Sequence, residues 1–356
     1  MNIERPLLKD YNEISNFANN NNLFVEGLDR DKFISLMKYL YKTDGKNFIK
    51  SIHIAIRENN KLIAHYGATC RKLIINGETL NVALASNLII SKGISKPLFF
   101  IIQKEFIRQY RKLQYNFAYA IVTRQNIISP HIPMKWNIVN HANVFVRPIS
   151  ISNCLKKLHP LFNIHPIKIF FEINQKIYNL IFFRKNNGIK ISTHYKFDKS
   201  YNEFLNNNLY LKDSISLKNL DTLNNRFKKF DGREYIILKA TKKSKIVGYL
   251  VMREMIMKGL NVIAIVDIVY EKNNKKIFNA LISSCINYAE EKNTDLVATI
   301  FTNISPHKLS YYKNGFIKTN EKFTLISHTN DFENKNEYIN TLKKKWDFTW
   351  FEHDFV

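Results

Sequence analysis

The chain has 356 residues, 45% of them in the set AVILMFWYC and 24% charged, which excludes a wholly disordered polypeptide and leaves room for two ordinary domains. Its formal net charge is +24, but 42 Lys against 12 Arg, beside 44 Asn, are spread along the whole sequence. A specific nucleic-acid reader, which leans on Arg forks and a localised basic stripe, is therefore not expected.

The amino-terminal run from Met1 to Phe17 carries Glu4, Arg5, Lys9, Asp10 and Glu13 and lacks the apolar centre of a secretory leader. No apolar run approaches the ~20 residues that span a bilayer. Cys70, Cys154 and Cys285 lie far apart with no CxxC, and the histidines show no HExxH or other ligand spacing, so neither a disulfide framework nor a metal site is expected. These features predict a soluble, cytoplasmic protein without a membrane span.

Ser51 to Arg57 alternates apolar and polar residues, residues 58–61 form a turn, and Leu62 to Ala68 reads as the returning strand. A second hairpin runs from Arg71 to Ile75 and from Thr79 to Ala85 across Asn76-Gly77, the strongest short-range turn signal. Asn87 to Ile90 continues as strand, Ser91 to Lys96 is a polar bend, and Pro97 suits the first turn of a helix carrying Leu98, Ile102, Phe106 and Leu113 at helical spacing. Phe117 to Thr123 and Asn143 to Arg147 read as strands.

The same grammar recurs. Tyr235 to Ala240 and Ile246 to Arg253 form a hairpin, Val262 to Tyr270 is a buried strand, and Glu271 to Lys276 is a polar bend. A helix follows with Ile277, Leu281 and Cys285 beside Phe278, Ile282 and Ile286, then a strand from Asp295 to Thr302 and a short helix near Ser305 to Lys313. Between the two copies lies a Lys- and Asn-rich connector with a helical pattern from Lys168 to Phe182.

Tyr311-Tyr312-Lys313-Asn314-Gly315-Phe316 fits the YxxxGF ending of the GNAT acyltransferases, and the repeated order of hairpin, strand, bend, helix and strand is similar to two GNAT lobes in tandem. Asn225-Arg226-Phe227 and Val247-Gly248-Tyr249-Leu250, together with Trp346, Thr349, Asp354 and Val356 near the carboxyl end, resemble GNAT-like proteins of bacterial polysaccharide loci. The resemblance implies an α/β fold, a mixed and largely antiparallel sheet with flanking helices in two acyltransferase lobes. Residues 1–148 and 226–356 would be those lobes and 149–225 the connector.

It further implies an acyl-CoA donor, acetyl-CoA or another, and an amine acceptor, for example an amino sugar of a surface polysaccharide. A polar bend at a helix amino terminus would hold the CoA phosphates. Those bends place Lys92, Gly93, Ser95 and Lys96 in the first copy and Asn273, Asn274, Lys275 and Lys276 in the second. The family's R/QxxGxG/A loop is intact in neither, and Pro97 removes one N–H donor from the first. Tyr311 would protonate the leaving thiolate and Asp267 would take the amine proton; the alternatives are a packed aromatic and a structural Asp. His131, followed by Lys135-Trp136, falls where the first copy would carry the Tyr and Gly-Phe. Two other functions compete: a Fem-type transferase fed by charged tRNA, and an inactive GNAT-fold binding protein.

Overall fold

The computed structural model describes the chain apart from residues 22–28, 42–50, 92–95, 123–127, 159–164, 183–187, 209–214, 230–232, 273, 330–334 and 354–356. The chain divides into two compact units, one of Met1–His141, Phe230–Gly232 and Phe323–Trp346, the other of Ala142–Lys229, Arg233–Lys322 and Asp347–Val356.

The first unit contains β1 (Asn2–Glu4), α1 (Tyr11–Asn20), α2 (Arg30–Tyr41), β2 (Ile52–Glu58), β3 (Lys61–Ile75), β4 (Glu78–Ile90), α3 (Lys96–Lys112) and β5 (Phe117–Val122). β1 to β4 are antiparallel neighbours, β4 and β5 are parallel, and the last residues of β12 (Ile317–Thr329) pair antiparallel with β5. The returning strand expected at 62–68 and the first strand of the second hairpin at 71–75 are one continuous strand, because no residue between them leaves the ladder with β4. Asn76 and Gly77 both take positive φ, 53° and 85°, the turn that matches strand twist. Leu98, Ile102, Phe106 and Tyr110 bury one face of α3 against the sheet, while α1 and α2 close a second core with Tyr11, Ile14, Leu36 and Leu40.

The second unit repeats the order. After β6 (Asn137–Pro148) come α4 (Ile151–Leu158), α5 (His165–Phe182), β7 (Lys190–His194), α6 (Tyr201–Asn207) and α7 (Leu220–Arg226). Then follow β8 (Ile236–Lys242), β9 (Lys245–Met257), β10 (Leu260–Tyr270), α8 (Lys275–Glu291), β11 (Leu296–Thr302) and α9 (Lys308–Lys313). β7 to β10 are antiparallel neighbours, β10 and β11 are parallel, and residues 142–148 of β6 pair antiparallel with β11. Ile277, Phe278, Leu281, Ile282, Cys285 and Ile286 of α8 are buried, as their spacing predicts. The chain crosses between units inside β6 and inside β12. α10 (Lys335–Lys345) belongs to the first unit.

Candidate active site

In the second unit the parallel pair β10 and β11 stays in register for only three residues, Val262 with Leu296 to Ala264 with Ala298. Beyond them β10 keeps its antiparallel ladder with β9, broken by a bulge between Ile265 and Asp267, while β11 follows β6 as far as Thr302 opposite Ala142. The two strands part, and backbone groups of the bulged stretch are released from regular pairing. At the base of this fork Thr299 Oγ1 donates to Ile265 O at 3.4 Å, and Thr299 lies close enough to the Tyr311 hydroxyl to oppose in part the effect of its burial.

Asp267 lies just past the fork and is buried. Its Oδ1 accepts from Lys218 Nζ at 2.6 Å and its Oδ2 from the Tyr249 hydroxyl at 2.9 Å. The Lys218 ammonium also sits 4.8 Å from the Phe351 ring centroid, so this charge is held between a carboxylate and an aromatic face. Glu352 beside it accepts from the Ser216 hydroxyl and from Thr349 N at 2.7 Å; burial raises its pKa against the pull of Lys218.

His307 leads into α9, with Nδ1 2.9 Å from the Tyr270 hydroxyl and its ring stacked on Phe278. Burial, helped by Lys218, lowers the imidazole to about 3, so it is neutral. Tyr270 is pushed up to about 12 by burial, and its carbonyl accepts from Asn208 Nδ2 at 3.2 Å. At the far end of β11, Asp347 Oδ1 accepts from Thr302 N at 3.2 Å and from Thr302 Oγ1 at 2.9 Å. Burial pushes this carboxyl up to about 6, opposed by hydrogen bonds from Ser305 and Thr302.

Tyr311 is buried in an aromatic box, its ring stacked 4.9 Å from Phe301 and edge-on to Phe278 and Phe316, both at 5.0 Å. Burial raises its pKa, so the hydroxyl keeps its proton. Tyr311 lies near Thr299 at the base of the fork, whereas Asp267 is tied to Lys218 and Tyr249 on the β9 side. Asn274 precedes α8, its side chain 3.4 Å from Glu271, and Lys275 and Lys276 stand exposed on the first turn. A cavity of about 350 Å³ adjoins this bend, lined among others by Ser200, Asn207, Asn208, Lys245 and Lys272. Lys92, Gly93, Ser95 and Asn273 lie outside the described residues; Lys96 opens α3, with its side chain outside them.

The first unit has a corresponding fork, with β4 and β5 in register from Val82 with Phe117 to Ala85 with Ala120. There Asn87 takes a left-handed conformation with φ 57°, at the irregularity where the ladder with β3 skips a step. Counted from the first parallel pair, Asn87 and Asp267 hold the same place in their strands. Asn87 O faces His65 Nδ1 at 3.0 Å, and His65 Nε2 lies 2.8 Å from His53 Nε2. His131 is buried in a short 3-10 helix, Ser129–Met134, 3.1 Å from Gln103 Nε2.

Lys218, Tyr249, His307, Asp347 and Glu352 were not expected from the sequence as site residues, Tyr249 being noted only within the stretch Val247-Gly248-Tyr249-Leu250. Their only signal was proximity in the fold, since they come from four separate stretches of chain. Among the described residues no group of three or more His, Cys, Asp or Glu is arranged to hold a metal ion.

No family model matches the chain, and no curated protein matches it in sequence. Solved structures do. Saccharomyces cerevisiae N-myristoyltransferase with bound myristoyl-CoA and inhibitors superposes with a TM-score of 0.63 at 14% identity, over 92% of this chain and 80% of that one. A GCN5-related N-acetyltransferase from Anabaena variabilis gives 0.60 at 10% identity, over 92% and 72%. A protein of Enterococcus faecalis described as a probable N-acyltransferase gives 0.59 at 9%, over 92% and 72%. With its parting parallel strands, mostly antiparallel sheet and flanking helices, the chain has the GNAT fold.

Proposed function

We propose that the chain is an acyl-CoA-dependent N-acyltransferase built as two GNAT lobes in tandem, with the second unit carrying out the chemistry. The observation that carries this reading is the fork between β10 and β11 beside a buried set of ionisable side chains. A strand pair that parts can admit a thioester arm, and released backbone N–H groups can polarise its carbonyl as negative charge gathers on oxygen. The bound myristoyl-CoA of the yeast enzyme supports a CoA thioester as donor. Its phosphates would meet the amino terminus of α8 and the side chains of Lys272, Lys275 and Lys276.

The acceptor is an amine, and an amino sugar is the class we favour. Its nitrogen attacks the thioester carbon, the C–S bond breaks, and the nitrogen's proton must leave. Asp267 is ill suited to receive it, because both its oxygens already accept from Lys218 and Tyr249. Asp347, held near 6 by burial at the end of β11, is the better matched carboxylate for proton transfer near neutrality. Tyr311, which keeps its proton, is a hydrogen-bond donor at the base of the fork for the departing thiolate.

Isothermal titration with CoA and acyl-CoAs of increasing chain length, followed by detection of free CoA thiol on adding amines, tests this reading. Binding of a CoA thioester and amine-dependent thiol release are expected. A protein that binds no CoA derivative is instead an inactive relative of the fold.

A further inference from the structure

We propose that α5 docks the protein onto an anionic lipid surface through its outward face. This inference does not depend on the acyl-transfer reading.

The helix runs 18 residues, roughly 27 Å, and carries apolar side chains on its outer face. Its polar side chains grip the second unit. Gln175 accepts from Ile151 N at 3.0 Å and donates to Pro148 O at 3.3 Å. Asn179 accepts from Arg147 Nη2 at 3.3 Å and donates to Glu290 at 3.2 Å, and the Tyr178 hydroxyl donates to Gly315 O. Phe182 packs inward on Tyr178, their rings 4.8 Å apart, but five other large apolar residues point away from the unit: Ile173 is 53% exposed, Ile177 51% and Leu180 78%, flanked by Phe170 at 61% and Ile181 at 60%.

At about 100° per residue these apolar side chains fall within an arc of roughly 100°, on the side of the helix opposite Gln175 and Asn179. A surface helix of a protein that meets only water shows the reverse pattern. A contiguous stripe of this kind marks a contact with something apolar.

Charge identifies the partner. In the sequence from 150 to 190 six Lys and one Arg outnumber a single acidic residue, Glu172, and the whole chain carries +24. A second copy of so basic a chain would be repelled, whereas a bilayer with anionic headgroups offers an apolar interior and the opposite charge together. No helix among the described residues is long and apolar enough to cross a membrane, so α5 would lie flat in the interface.

Cosedimentation of the full chain with phosphatidylcholine vesicles, with and without phosphatidylglycerol, tests the proposal. The protein should pellet with the anionic vesicles, and added salt should weaken the association. The variant Ile173→Ser/Ile177→Ser/Leu180→Ser should bind at least about tenfold more weakly while still folding with a cooperative melt, since more than half of each residue it changes is exposed. A Leu180→Trp variant keeps the stripe apolar, and its added fluorescence should shift to the blue with anionic vesicles. The proposal is overturned if the parent stays in the supernatant, or if the triple variant pellets as well as the parent. It is equally overturned if Leu180→Trp emission does not shift, or if the stripe instead holds a dimer that the triple variant dissolves.

Discussion

Tyr311 and His131 end their short helices in the same way. Phe316 N donates to Tyr311 O at 3.1 Å, and Trp136 N donates to His131 O at 3.3 Å. Between each pair stands a residue in the left-handed conformation, Gly315 with φ 79° and Lys135 with φ 63°. The two turns therefore share one backbone path although only one has the sequence YxxxGF, and the aromatic that follows is buried in both.

This equivalence predicts opposite outcomes at the two left-handed positions. Gly315→Ala forces a Cβ into the Arg147 guanidinium at a φ that side chains avoid, and should lower stability by about 2 kcal/mol or more. Lys135→Gly relieves the same backbone and should be neutral or stabilising by up to about 1 kcal/mol. Urea melts of both variants check the pair; equal effects of one sign would break the equivalence.

At Tyr311 the ring and the hydroxyl separate. Tyr311→Phe keeps the aromatic box and leaves Thr299 bonded to Ile265 O, so the melting temperature should move little, about 1 kcal/mol at most. Tyr311→Ala empties the box and should cost roughly 3 to 5 kcal/mol. If the hydroxyl assists the leaving thiolate, turnover of the Phe variant should fall by about 10²-fold or more while folding is intact. A fully active Phe variant makes Tyr311 a packing residue.

Much of the fold was legible because its signals are local. Apolar spacing fixed the faces of α3 and α8, and Asn76-Gly77 fixed a hairpin whose two central residues both need positive φ. The turn at Lys243 and Ser244 has the same left-handed pair, φ 48° and 64°, without a glycine to advertise it. The exchange of β6 and β12 between units was not legible, since a strand's pattern records that it is buried and not which neighbour buries it. In the site, Asp267 stood out as a carboxylate within an apolar strand. Lys218, its partner 49 residues earlier, is one Lys among 42 and carries no local mark.

The buried histidines of the first unit set an acid limit. Asn87 O can only accept, so His65 Nδ1 carries the proton and His65 Nε2 accepts from His53. Burial lowers His65 to about 4, and burial with the neighbouring His65 and Arg5 lowers His53 to about 2. Both values lie below the ordinary 6.5, so the unfolded chain binds more protons beneath that pH and stability falls as pH drops from 6.5 toward 4. At pH 5 each ring should cost about 2 kcal/mol relative to pH 7. Denaturation at both pH values should show this loss, and His53→Phe should remove one proton from the slope; an unchanged slope would refute the assignment.

Lys218 and Asp267 should behave as a unit. Asp267→Asn leaves a buried ammonium without its counter-charge and should cost about 3 to 5 kcal/mol. Replacing both, Lys218→Met with Asp267→Leu, should recover most of that loss, because the desolvation penalty disappears with the charges. A double variant as unstable as the summed losses of Lys218→Met and Asp267→Leu made singly would mean that the pair is not coupled.

Asp347 should trade stability against activity. Its carboxyl is raised from the ordinary 3.8 to about 6, so the folded chain holds this proton more tightly than the unfolded chain between those values. The stability it contributes is therefore complete below about pH 4 and is lost as pH rises to about 6, a difference of about 3 kcal/mol. Asp347→Asn imitates the protonated form and can still accept from Thr302 at Oδ1. At pH 4 it should be as stable as the parent, and at pH 7 more stable. If Asp347 accepts the amine proton, the same substitution should abolish the limb of kcat/KM near pH 6 and cut the rate by about 10²- to 10⁴-fold. A variant that gains stability at pH 7 but keeps the parent's pH–rate profile would leave Asp347 as a strained carboxylate outside the chemistry, and the proton would have to leave by another group at the fork.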